Sequence, residues 1–140
     1  RSAVLVREIL VNVPANKNWY DTDIKLQKGD CLELTAKGSW WSGISKTGSD
    51  GDGGFIFGLG RPACGGCPVT DGNLGELVGK IDDGSPFRVG SSSIQEINQD
   101  GNLILAMNEN TGPCNNGQEG SCYDDNNGAL EVKVTVRRIK

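Results

Sequence analysis

The chain has 140 residues, 14 Lys and Arg against 18 Asp and Glu, 21 glycines, five cysteines and no histidine. That length suits one domain around one core, and glycine at about twice its usual ~7% argues for many turns and against long helices. The absent histidine excludes a Ser-His-Asp triad, a Cys-His dyad and any His-containing zinc site, and a net charge of −4 argues against nucleic acid as the main partner.

The first predicted strand covers residues 3–13, which are apolar and β-branched, and Pro14 and Asn16-Lys17-Asn18 end it. Trp19 and Tyr20 read as packing at a sheet edge before Ile24-Lys25-Leu26. Lys28-Gly29-Asp30 is a turn signal. Residues 31–36 alternate, with Leu32, Leu34 and Ala36 on one side and Glu33 and Thr35 on the other. Cys31 reads as a buried thiol. Trp40 and Trp41 follow Gly38 on a strand or its end. Neighbours on a strand face opposite ways, so one belongs to the core and the other is exposed. The exposed ring could stack on a ligand, and core packing or loop support is the equal alternative.

Residues 48–72 hold nine glycines, two prolines and the Cys64-Gly65-Gly66-Cys67 motif. The block is too long for an idle connection. Asp50 and Asp52 fit a flexible turn better than a second cation site. Strands resume at 75–81, 87–89 and 92–97, and the apolar run 103–107 is expected to be buried on both faces. In the last strand Leu130, Val132, Val134 and Val136 alternate with Glu131, Lys133, Thr135 and Arg137. No helical period, repeat or linker is present. The expectation is a single all-β domain over residues 1–140, an antiparallel β-sandwich of about eight strands. No run approaches the ~20 apolar residues of a membrane span, and the opening Arg1 reads as a processed chain or an excised domain.

Residues 108–128 contain Asn, Asp, Glu, Gln and Gly in abundance and neither Lys nor Arg. Calcium takes six to eight oxygen ligands from carboxylates, amides and backbone carbonyls, and this segment supplies all three. Glu109 follows one strand, and Asp125 and Asn126 precede the next, so a hairpin would bring them together. Turn formation alone is the competing explanation for such a composition.

The sequence resembles the bacterial PA-I galactophilic lectin family. The likeness is carried by residues 19–30 (Trp19-Tyr20-Asp21-Thr22 onward), 34–40, 75–81 and 125–134 (Asp125-Asn126-Asn127-Gly128 onward). It implies a galactose-binding-like (jelly-roll) β-sandwich with a calcium ion at one end, its coordination completed by two sugar hydroxyls. By position, it implies Glu109, Asp125 and Asn126 as side-chain ligands of Ca2+. Asn110, Ser42 and Cys122 would lend carbonyls, with Tyr123 as the alternative to Cys122. Glu109, Asp125, Asn126 and Trp41 would meet the carbohydrate, a galactoside-type glycan. This chain differs in having Glu109 where the family has an aspartate, and in lacking the family's sugar-holding histidine.

Cys64–Cys67 and Cys114–Cys122 are read as two loop-closing disulfides, which implies an extracellular or periplasmic location. Reduced cysteines in the cytosol are the alternative. No carboxylate spacing picks out a glycosidase pair, so the chain is not expected to be an enzyme. A non-catalytic accessory module that has lost sugar binding is the second functional reading. The residues leave the oligomeric state open.

Overall fold

The computed structural model describes residues 3–17, 19–41, 46–49, 68–69, 75–108, 113–114, 118–119 and 126–139. In chain order the strands are β1 (Ala3–Pro14), β2 (Tyr20–Leu26), β3 (Cys31–Trp41), β4 (Lys46–Thr47), β5 (Leu77–Ile81) and β6 (Phe87–Arg88). They continue with β7 (Ser92–Glu96), β8 (Gly101–Met107), β9 (Pro113–Cys114), β10 (Gln118–Glu119) and β11 (Asn127–Ile139). Among the described residues there is no helix, and so none able to cross a membrane.

Two antiparallel sheets form a β-sandwich. One runs β1-β11-β3, and the outer edge of β3 is shared by β4 and β7. The other runs β2-β8-β5-β6. A separate ribbon pairs β9 with β10. The period-two pattern explains the layering, because alternate side chains of a strand face opposite sides. In β11, Leu130, Val132, Val134 and Val136 are buried as expected. They lie in register with Gly38, Ala36, Leu34 and Leu32 of β3. Leu103, Leu105 and Met107 of β8, with Ile24, Leu26 and Leu77, close the core from the second sheet.

β3 runs past the alternating stretch 31–36 to Trp41, through Gly38. Gly38 sits opposite Leu130 with φ +104°, and a Cβ there would lie 3.9 Å from the Leu130 side chain. That distance is an ordinary contact, so it is the left-handed backbone, which side chains rarely adopt, that calls for glycine and lets the strand continue. Cys31 is half-buried rather than buried, because it alternates with Leu32 and so faces away from the core.

The run 103–107 is nearly buried on both faces, as its composition predicts; Ile104 alone remains half-exposed. The reason is a second small cluster, in which Val69, Val78, Ala106 and Trp19 pack together. β2 is irregular between Asp21 and Ile24. Local side chains hold that irregularity: Thr22 Oγ1 donates to the Leu103 carbonyl at 2.7 Å, and the Asp23 amide donates to Asp21 Oδ1 at 2.8 Å. Trp19 and Tyr20 pack at the sheet edge as expected, with Lys80 Nζ 4.4 Å from the Trp19 ring centre.

Candidate functional site

One end of the sandwich gathers the ends of β1, β3 and β8 with the start of β11. Register places Asn127 beside Trp41 and Ala129 beside Pro14. Asn126 stands just before β11 at this end and is buried. Its Nδ2 donates to the Ala15 carbonyl at 2.9 Å and approaches Met107 Sδ at 3.4 Å. The Ala15 amide in turn donates to the Gly128 carbonyl at 2.9 Å. This exchange ties the turn after β1 to the start of β11 and fixes which way the Asn126 amide points. Among the described residues, no donor reaches Asn126 Oδ1. A buried acceptor in that state costs about 1–3 kcal/mol.

The neighbouring frame is polar and well bonded. Asn108, fully buried at the end of β8, grips Val69 from both sides: its Nδ2 donates to the Val69 carbonyl at 2.8 Å, and its Oδ1 accepts the Val69 amide at 3.0 Å. The Asn108 backbone donates to the Glu76 carbonyl at 2.7 Å and accepts from Gly75 at 2.9 Å. Trp40 Nε1 donates to the Gly75 carbonyl at 2.8 Å. The buried Glu76 carboxylate accepts from Arg88 Nε at 2.9 Å. These bonds hold the segments at 68–69 and 75–76 against the end of the sheet.

The tryptophan pair divides as alternation requires. Trp40 is 2% exposed and belongs to the core, while Trp41 is 41% exposed beside Asn127. Of the residues expected at the site, Asn126 and Trp41 are therefore brought to the same end. Glu109, Asn110, Ser42, Cys122 and Asp125 lie outside the described residues, as do Asp50, Asp52, Cys64 and Cys67. The Cys114 backbone belongs to β9, and its expected pairing with Cys122 lies outside them too. Among the described residues there is no group of three or more acidic or cysteine side chains placed to hold a metal.

Two residues of this end escaped the sequence reading. Asn108 belongs to the oxygen-rich segment, but nothing local marks it as a buried clamp rather than a turn former. Ala15 contributes only its backbone, which leaves no sequence signal.

No family model and no curated protein matches the chain. Solved structures do. One described as the EclA N-terminal domain, a PllA-like lectin, superposes with a TM-score of 0.60 at 17% identity. The match covers 94% of this chain and 97% of that one. The two chains therefore share a β-sandwich fold over nearly their whole length.

Proposed function

We infer that the chain is a calcium-dependent carbohydrate-binding domain, with galactose-type sugars as the favoured ligands. The observation that carries this reading is Asn126 Oδ1, a buried amide oxygen aimed by the Ala15 and Met107 contacts and lacking a donor among the described residues. A cation is a fitting partner for it. Calcium favours neutral and anionic oxygens together, and the chain adjoining Asn126 and Asn108 is rich in both. Glu109 and Asp125 would supply carboxylates alongside Asn126, and the carbonyls of Asn110, Ser42 and Cys122 would complete the protein's share.

A bound calcium ion supplies a site for two neighbouring sugar hydroxyls. The carboxylates of Glu109 and Asp125 would accept hydrogen bonds from those hydroxyls, which are stronger for being charge-assisted. Trp41 would offer its exposed ring to the C–H face of the sugar. The fold shared with a lectin domain supports the same reading. Loop-closing disulfides at Cys64–Cys67 and Cys114–Cys122 belong to it, and with them an extracellular or periplasmic setting.

Calorimetric titration with methyl galactosides tests the proposal. Binding is expected in calcium, and its loss in EDTA and in the Asn126→Ala variant. Sugar binding that persists in EDTA overturns the calcium role, and absence of binding to any glycan in calcium favours a non-binding accessory module.

A further inference from the structure

We propose a second carbohydrate site, independent of calcium, in the side cleft where the sandwich opens between β6 and β7. The cleft has a volume of about 350 Å³. That lies at the small end of ligand sites, which run from roughly 300 to 1,000 Å³. The inference does not rest on the calcium reading, because the cleft lies toward the opposite end of the sheets. Its neighbours Ile81 and Glu96 pair with Leu103 and Cys31, whereas Asn126 adjoins the other ends of β3 and β8.

The floor is apolar and firmly supported. Phe87 lies opposite Gly79 in the β5–β6 pair, and a Cβ on Gly79 would fall 3.1 Å from the Phe87 ring and from the Leu105 side chain. Glycine at 79 thus lets the ring settle against the core. Ile81 completes this floor.

The rim is made of side chains that both donate and accept. Gln95, Asn98 and Gln99 bring amides to it, whereas Glu96, paired with Cys31, turns its side chain to the outer face of the sheet. Among the described residues the lining includes no Lys or Arg, and no charged side chain is turned into it. Two amides are already oriented: Gln99 Nε2 donates to the Ile81 carbonyl at 3.1 Å, and Gln95 Nε2 donates to Ser93 Oγ at 2.7 Å. Gly84 leaves room for this arrangement, since a Cβ there would come within 3.0 Å of Gln99 Oε1.

An anion would find no cationic partner among the described lining residues, and a wholly apolar ligand would leave the remaining hydrogen-bonding capacity of the amides unused. A neutral pyranose satisfies both halves. Its C–H face covers Phe87, and its hydroxyls exchange hydrogen bonds with the amides.

The test is an amide-resolved NMR titration of the full chain in EDTA. The probes are methyl glycosides of glucose, galactose and mannose, with cellobiose and lactose. Saturable shifts centred on Phe87, Gln95, Glu96 and Gln99 are expected for at least one probe. Asn98 and Gln99 are exposed, so the double variant Asn98→Ala, Gln99→Ala should keep its fold. It is expected to bind about tenfold more weakly, the loss of two hydrogen bonds. A folded double variant with unchanged affinity overturns the proposal, as does the absence of saturable shifts at the cleft with every probe. Binding seen only in calcium, with shifts confined to the Asn126 end, supports the other site and overturns this one.

Discussion

The side-chain amide of Asn126 donates to the backbone carbonyl of Ala15, 111 residues earlier, at 2.9 Å. The bond commits the amide nitrogen and leaves the buried Oδ1 as an acceptor without a donor among the described residues. Most buried side-chain polar atoms have a partner, so this oxygen is the atom on which the calcium proposal turns.

Asn126→Ala separates the two roles. In EDTA the variant loses the bond to Ala15, an expected cost of about 1–2 kcal/mol. In calcium the wild type should gain about 2.7 kcal/mol at a hundredfold excess over Kd, a rise in Tm of roughly 10 °C. The variant should lose most of that rise. Thermal unfolding of both proteins with calcium and with EDTA measures the difference; an equal rise in both would show that Asn126 holds no ion.

Trp40 and Trp41 should respond in opposite ways. Trp40 is buried and donates its indole N–H to Gly75, so Trp40→Ala is expected to cost about 3–5 kcal/mol. Trp41 is exposed beside Asn127, so Trp41→Ala should leave stability within about 1 kcal/mol. It should, however, weaken sugar binding and reduce the change in fluorescence on adding sugar. Denaturant unfolding and a fluorescence titration read the two effects separately.

Those tryptophans also mark how far the sequence is legible. Alternation alone separates a buried from an exposed neighbour, and the same rule orders Leu130, Val132, Val134 and Val136 along β11. Burial of a residue on a sheet is a local property repeated every two positions. The polar frame of the candidate site has no such period. Asn108 meets Val69 across 39 residues and Asn126 meets Ala15 across 111. Both join a side-chain amide to backbone, so the partner's residue type carries no signal. The composition of 108–128 therefore points to oxygen donors without showing which of them are spent on holding the chain.

Asn108→Ala tests that distinction. The substitution leaves both the amide and the carbonyl of buried Val69 without their partner, at an expected cost of about 2–3 kcal/mol. Hydrogen exchange at the Val69 amide should accelerate more than at Leu105 in the sheet interior. Asn108→Asp should be no milder, because its carboxylate keeps an acceptor for the Val69 amide but loses the donor for the carbonyl.

At the far end of the sandwich, Asp30 and Arg138 form a two-point ion pair with N···O distances of 2.7 and 3.0 Å, and the Gln27 amide adds a bond to Asp30 at 2.8 Å. The Arg138 hydrogen bonds, aided by that of Gln27, hold the Asp30 carboxyl below its usual range, although its burial acts the other way. A carboxyl whose pKa is lower folded than unfolded stabilises the fold above the unfolded value, about 3.9, and that contribution is lost as pH falls through the folded value. Stability from this pair is thus expected to be flat from neutral pH to about 5 and to decline below about 4. Arg138→Met should lower Tm at pH 7, and the difference from wild type should shrink as the pH falls below the unfolded value, because the wild type loses the stability of the Asp30 carboxylate as that group takes up its proton. The sites proposed near Asn126 and between β6 and β7 include neither residue, so sugar affinity at pH 7 should not change. Tm against pH for both proteins checks the sign: a gap that widens as the solution is acidified would mean that the pair does not stabilise the fold through the Asp30 carboxylate.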